Sequence, residues 1–317
     1  MKALLIVVLL VGVGLAWLPK LRSLEKGPLT DADRARAPGE FVTLSQGRVH
    51  YQLTGPEAAP LVVMVHGFSI PSYTWERNVE GLSKAGYRVL TFDLYGRGFS
   101  DRPKLAYGRA TYVTLLSELL DALAPEQTVH LVGLSMGGAV VAAFSADHPE
   151  RVLSASFLAP FSRPIDIGPL AWPVVGSYLA KVFYLPGLAH RQLKDLVEPE
   201  RFPYWVARYQ QQMRFEGFDQ ALIASAQNYL QTDPMEDFRR IGQLGIPSLL
   251  LFGDQDRLFP QEQFAPELRK ALSPNGQFEL IDNAGHALHY ERSEQVNAAL
   301  LRFFQQVSVP EVLQQQG

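Results

Sequence analysis

From residue 40 onward, short β-branched and apolar runs alternate with longer stretches whose apolar residues follow a helical pattern. The runs predict strands at 41–44, 48–53, 61–65, 88–92, 128–132, 152–158, 248–252 and 277–281. Helical patterns fill 73–85, 111–122, 136–147, 260–272 and 294–305. From the third strand onward this alternation predicts a mostly parallel eight-stranded α/β sheet with helices on both faces. The first two runs lie close together and predict a hairpin. Runs such as Leu61-Val62-Val63-Met64-Val65 are apolar throughout, as strands covered on both faces require.

Two stretches break this rhythm. Residues 160–241 carry no strand pattern and are rich in aromatics and prolines. They predict a helical insertion between the two parts of the core (40–159 and 242–317), acting as a cap or lid over an apolar pocket. Most of its aromatics must fill the insertion's own core. Trp172, Tyr204 and Trp205 are its candidates for touching a substrate. The chain closes on a Gln-rich tail at 314–316.

The other stretch is 1–19. No residue is charged between Lys2 and Lys20, and 3–19 is almost wholly apolar. Such a run reaches the lower limit for crossing a bilayer, roughly 17 residues. One reading is an uncleaved signal anchor, with Trp17 at the interface and Lys20, Arg22 and Lys26 beyond it. The other is a signal peptide cut after Gly14-Leu15-Ala16, giving a secreted or periplasmic protein. Trp-Leu-Pro followed by basic residues favours the anchor, and so a membrane-associated protein. Residues 20–39 are polar and predict a linker.

Composition narrows the chemistry. With 29 basic and 32 acidic residues the net charge is −3, which offers no basic footprint for nucleic acid. Cysteine is absent, which removes disulfides, thiolate catalysis and Cys-ligated metal centres. No His/Asp/Glu grouping has metal-ligand spacing, and no cofactor fingerprint is present.

The strongest chemical signal is Gly133-Leu134-Ser135-Met136-Gly137-Gly138. It follows a predicted strand and opens a predicted helix. Gly-x-Ser-x-Gly in that context forces a sharp strand-to-helix turn that projects the serine hydroxyl. The flanking glycines are needed because side chains there would collide. Serine requires a base, and the base an orienting acid. The late strand at 248–252 runs into Gly253-Asp254-Gln255-Asp256, and the last strand into Asp282-Asn283-Ala284-Gly285-His286. All three groups thus stand at strand C-terminal ends, where open α/β sheets build their sites. Oxyanion donors are expected at the backbone N–H of Met136 and, in His66-Gly67-Phe68, of Phe68.

These segments, with Asp93-Leu94-Tyr95-Gly96-Arg97-Gly98-Phe99-Ser100, resemble the α/β-hydrolase family over roughly 49–159 and 244–304. Within it the chain is similar to lidded carboxylesterases and monoacylglycerol lipases, and to meta-cleavage-product hydrolases. The family's Gly-x-x-Asp-x-x-x-Pro frame matches Gly253…Asp256…Pro260, which implies Asp256 rather than Asp254 as the acid, with Asp254 fixing the turn. Gly285-His286 implies His286 rather than His289 as the base. His66 is expected to brace the oxyanion loop. His50, His130, His148 and His190 show no partner pattern, and Asp93 with Gly96-Arg97-Gly98 predicts a structural turn.

The expectation is a cofactor-independent serine ester hydrolase using Ser135, His286 and Asp256. Its substrate would be a small-molecule or lipid ester with an apolar acyl chain. A carbon–carbon hydrolase and a non-catalytic binder of apolar ligands are the alternatives. Serine at the elbow argues against epoxide-hydrolase or dehalogenase chemistry, which uses a carboxylate nucleophile.

Overall fold

The computed structural model describes residues 1–307; the Gln-rich tail at 314–316 lies outside them. The strands are β1 (Glu40–Leu44), β2 (Gly47–Thr54), β3 (Leu61–Val65), β4 (Arg88–Phe92), β5 (Val129–Leu134), β6 (Val152–Leu158), β7 (Ser248–Gly253) and β8 (Gly276–Ile281). They form one sheet in the order β1-β2-β4-β3-β5-β6-β7-β8. β1 and β2 form the antiparallel hairpin, β2 is antiparallel to β4, and every other pairing is parallel. β3, β5 and β7 are buried along their whole length, which accounts for the unbroken apolar runs at 61–65 and 249–252.

The helices, in chain order, are α1 (Lys2–Arg22), α2 (Asp31–Arg34), α3 (Glu76–Lys84), α4 (Arg109–Leu123), α5 (Met136–Asp147), α6 (Val175–Leu179), α7 (Leu188–Arg191), α8 (Trp205–Gln212), α9 (Phe218–Asn228), α10 (Met235–Gln243), α11 (Gln261–Leu272), α12 (Leu288–Glu291) and α13 (Ser293–Val307). α3 with α13, and the row α4, α5, α10 and α11, sandwich the sheet. The helical stretch expected at 73–85 divides into a 3-10 turn at Ser72–Trp75 and α3.

The insertion between β6 and β7 is helical, as its lack of a strand pattern predicts. Its small core joins Leu188, Phe202, Trp205, Tyr209, Phe218 and Leu222. Its last part departs from expectation. α10 packs between α5 and α11, with Phe238 edge-on to Phe157 of β6 at 5.1 Å. α10 therefore belongs to the main sandwich, and the separate layer ends before it. Periodicity could not show this, because an amphipathic helix looks alike whichever core its apolar stripe meets.

α1 is apolar, reaches Arg22 and buries none of its residues. The stretch after it is no free linker. The backbone of Lys26 donates to Arg214 O (2.7 Å), and that of Glu216 to Gly27 O (2.8 Å). The guanidinium of buried Arg34 is ion-paired with Asp101. A polar composition predicts solvation, but it is blind to partners nearly 200 residues away.

Candidate active site

The site grows from the end of β5. Ser135 sits between β5 and α5 with φ 53° and ψ −117°, a strained conformation for a non-glycine residue. Two glycines permit it. A Cβ on Gly133 would lie 2.3 Å from Gly137 O, and one on Gly137 would lie 2.3 Å from Val65 O. The turn is therefore tight enough to drive α5 against the end of β3. The Ser135 N–H donates to Leu158 O (2.9 Å), tying the elbow to β6.

The loop after β7 presents Asp256. Its Oδ1 accepts the backbone N–H groups of Leu258 (2.8 Å) and Phe259 (2.9 Å). Its Oδ2 meets His286 Nδ1 at 2.8 Å. Burial alone would raise the Asp256 carboxyl, but the charge and hydrogen bond of His286 and the two N–H donors bring it below its ordinary range. Burial would lower His286, yet Asp256, with a smaller contribution from Asp195, raises it above its ordinary value. Phe259 stands edge-on to the imidazole, with centroids 4.9 Å apart, and walls its flank. Asp254, the competing acid, instead accepts the backbone N–H of Ala284 (3.0 Å) and pins the neighbouring turn.

Ser135 and His286 line one open cavity of about 780 Å³, whose lining includes the charged residues Arg191, Lys194, Asp195 and Arg257. Ser135 also lines a second, apolar cavity of about 390 Å³, walled by Ile165, Leu170, Leu185, Leu222, Ile223 and Leu230. The chambers share Phe68, Ser135, Tyr184 and Leu258. Ser135 Oγ has no hydrogen-bond partner among the described residues. Catalytic contacts of this kind often tighten only when substrate is bound.

The loop after β3 supplies the second wall of the elbow. A Cβ on Gly67 would come within 3.5 Å of Leu134 O and Ser135 Cβ, so this backbone approaches the serine closely. His66 orients it. Its Nε2 accepts the N–H of Leu94 (2.9 Å), so its proton sits on Nδ1 and is donated to Gly67 O (2.8 Å). Burial pushes His66 down to about 4, so it stays neutral. Gly67 O shares a peptide plane with the Phe68 N–H, and in a trans peptide the two point in opposite directions. Arg97, fully buried, holds the next carbonyl, Phe68 O, at 2.9 Å. Met136 is the first residue of α5, so its N–H belongs to the unpaired first turn.

Three expected substrate contacts are corrected. Trp172 and Tyr204 are exposed, at 59% and 80%. Trp205 is buried against Tyr290 (4.8 Å between centroids). None of the three lines either chamber. The apolar wall is mostly aliphatic, with Phe68, Tyr184 and Phe259 as its aromatics. His289 is buried against Thr74 Oγ1 (2.6 Å), and burial, with the charge of His286, holds it well below its ordinary value. His50 has the partner its sequence did not reveal. Its Nδ1 lies 2.8 Å from Asp93, which also accepts from Ser72 and Phe99 and so knots the turn after β4. Asp195 and Glu291, both near His286, also escaped sequence reasoning. Neither lies in a motif; Asp195 is brought there by the packing of the insertion on the His286 loop, and Glu291 by the turn of α12 just after it.

This fold and elbow define an α/β hydrolase. Residues 60–293 match the alpha/beta hydrolase fold family, and the chain belongs to it. It is 30% identical over 292 residues to a Synechocystis protein named "Putative non-heme chloroperoxidase", covering 84% of this chain and 99% of that one. It is 29% identical to carboxylesterase YbfK of Bacillus subtilis (83% and 86% covered). It is also 29% identical to the 2-hydroxy-6-oxononadienedioate/2-hydroxy-6-oxononatrienedioate hydrolase of Paraburkholderia phymatum (85% and 96% covered).

Proposed function

We propose that this α/β hydrolase is a serine ester hydrolase acting on carboxylic esters with an apolar acyl chain. One observation carries the reading. A serine held at a strained elbow opens onto the same cavity as a histidine whose far nitrogen is bonded to a buried carboxylate.

Ser135 Oγ attacks the acyl carbon, and His286 Nε2 takes its proton. Asp256 holds the imidazole with its proton on Nδ1 and stabilises the cation that forms. The N–H groups of Phe68 and Met136 receive the oxyanion; one such donor is worth about 3 kcal/mol of barrier. His286 returns the proton to the leaving alcohol, and water, activated by the same imidazole, releases the acid. The acyl chain occupies the apolar chamber, where each buried methylene adds about 0.8 kcal/mol. The alcohol leaves through the larger chamber, which carries Arg191, Lys194, Asp195 and Arg257. α1 serves as a membrane anchor, its 21 residues spanning roughly 31 Å at 1.5 Å per residue.

A fluorophosphonate probe tests the nucleophile. The full-length protein should be labelled and Ser135→Ala should not. A series of p-nitrophenyl esters of increasing acyl length tests the substrate class, with an optimum expected at medium length. Labelling at Ser135 with poor turnover at every length would sink the esterase reading and favour carbon–carbon cleavage, for which the Paraburkholderia relative is named. Absence of labelling would leave only a binder.

A further inference from the structure

We infer that the outer face of the insertion beside α1 docks onto the lipid bilayer, at the level of the headgroups and the outer acyl chains. This inference rests on the reading of α1 as a membrane anchor.

The contacts between α1 and the insertion set the depth. Tyr178 Oη donates to Leu15 O (2.9 Å), and Arg22 Nε donates to Val182 O (3.2 Å). Leu15 and Arg22 are seven residues apart, about 10 Å along the helix axis. The uncharged run of α1 continues to Pro19, so Leu15 lies inside the stretch that would be in hydrocarbon. The insertion therefore reaches past the polar end of α1 to the depth where tyrosine and tryptophan are favoured. Below that level the joint is polar. Ser23 Oγ donates to Asp219 (3.1 Å), and Glu25 accepts the Asp219 N–H (3.0 Å). With the backbone bonds at 26–27, this fixes the insertion's tilt against α1.

The surface at that depth is apolar. Trp172, Val174, Val175 and Phe183 are 59%, 83%, 49% and 64% exposed. They flank Tyr178 and Val182, the two residues bonded to α1. Gly176 N–H donates to Trp172 O and Tyr178 N–H to Val174 O, so this edge is one compact turn. Arg22 and Lys181 lie beside Val182, placed for lipid phosphates. Isolated exposed apolar residues need no explanation, but a cluster continuous with a membrane-spanning helix does. The inner side of the same segment matters as well. Leu170, Ala180, Tyr184 and Leu185 line the apolar chamber that ends at Ser135. One layer of chain thus separates the docked face from the acyl chamber.

The cysteine-free sequence makes the test direct. Full-length Leu9→Cys, Val174→Cys, Phe183→Cys and Glu262→Cys variants, each carrying an environment-sensitive fluorophore, are reconstituted into phosphatidylcholine–phosphatidylglycerol vesicles. The Leu9 site should be quenched by deep doxyl lipids. The Val174 and Phe183 sites should be quenched by shallow doxyl lipids and shielded from iodide, and the Glu262 site should show the reverse. If Val174 and Phe183 behave like Glu262 while Leu9 is embedded, docking is overturned and the anchor stands. If Leu9 is not embedded, both fall. A Val174→Asp/Phe183→Asp double variant should lose at least tenfold in turnover of vesicle-borne esters and keep its rate on a water-soluble ester. Equal rates on both substrates would also overturn docking, whereas loss on both would implicate the Ser135 chemistry instead.

Discussion

The buried carboxylate of Glu291 accepts the backbone N–H of Gly285 at 2.9 Å, one residue before His286. Its other oxygen accepts the N–H groups of Val197 (2.7 Å) and Glu198 (3.1 Å) from the insertion. A further bond joins Ala287 N–H to Asp195 O at 3.0 Å. The histidine loop is thus clamped to the insertion from both sides. Each buried N–H left unsatisfied costs about 1–3 kcal/mol. Glu291→Ala should therefore lower the melting temperature by several degrees and cut kcat more than it raises KM. Glu291→Gln, which keeps one acceptor, should recover part of both. Thermal unfolding and steady-state kinetics on a soluble ester check this; an unchanged Tm in Glu291→Ala would discard the clamp.

The rate should rise with pH as His286 loses its proton, because only the neutral imidazole accepts one from Ser135. Its raised pKa puts the acid limb of kcat/KM above 6.5. Asp256 and Asp195 are the carboxylates facing it. Burial pushes Asp195 up to about 6, while His286 pulls it down and Asp256 and Glu291 add to the rise. Asp195→Asn removes a negative charge near the imidazole, so the limb should move to lower pH with modest loss of rate. Asp256→Asn should cost about 10⁴-fold in kcat, as loss of the orienting acid does elsewhere. A limb that stays put in Asp195→Asn would remove Asp195 from the electrostatics of the site.

We propose that His66, bonded to Gly67 O and Leu94 N–H, acts on the proposed oxyanion loop through the peptide it holds and not through proton transfer. His66→Leu removes the donor to Gly67 O and frees the 67–68 peptide to rotate. The expected result is a fall in kcat of ten- to a hundredfold with KM nearly constant, while His66→Asn, which can still donate, retains more activity. Similar losses in both variants, or a change confined to KM, would contradict this assignment.

Gly137→Ala offers a test of the elbow independent of chemistry. The added methyl would overlap Val65 O and His66 O, both backbone atoms that cannot swing aside. Overpacking in such settings typically costs about 1–3 kcal/mol. Denaturant unfolding should register that loss, and fluorophosphonate labelling should slow even in the folded fraction. A variant as stable and as reactive as the parent would mean the turn is looser than described.

The strands, the mostly parallel sheet and the turns that carry Ser135, Asp256 and His286 were legible in the sequence because each depends on local pattern. An apolar run buried on both faces, or glycines around a tight turn, leaves its mark within a few residues. The same patterns misled where burial was the question. The aromatics of 160–241 proclaimed a pocket, yet Trp205 fills a core and Trp172 lies outside.

Pairings across long stretches of chain were settled only by folding. His50 meets Asp93, Glu291 meets Val197, and Ser23 meets Asp219 across 196 residues. A lone charged or polar residue carries no sign of its partner, since hydrogen bonding depends on distances in space and not on spacing along the chain. The sequence by itself therefore determined the scaffold and the candidate reactive groups. The chamber walls, the clamp on the histidine loop and the seat of α1 on the insertion came from tertiary packing alone.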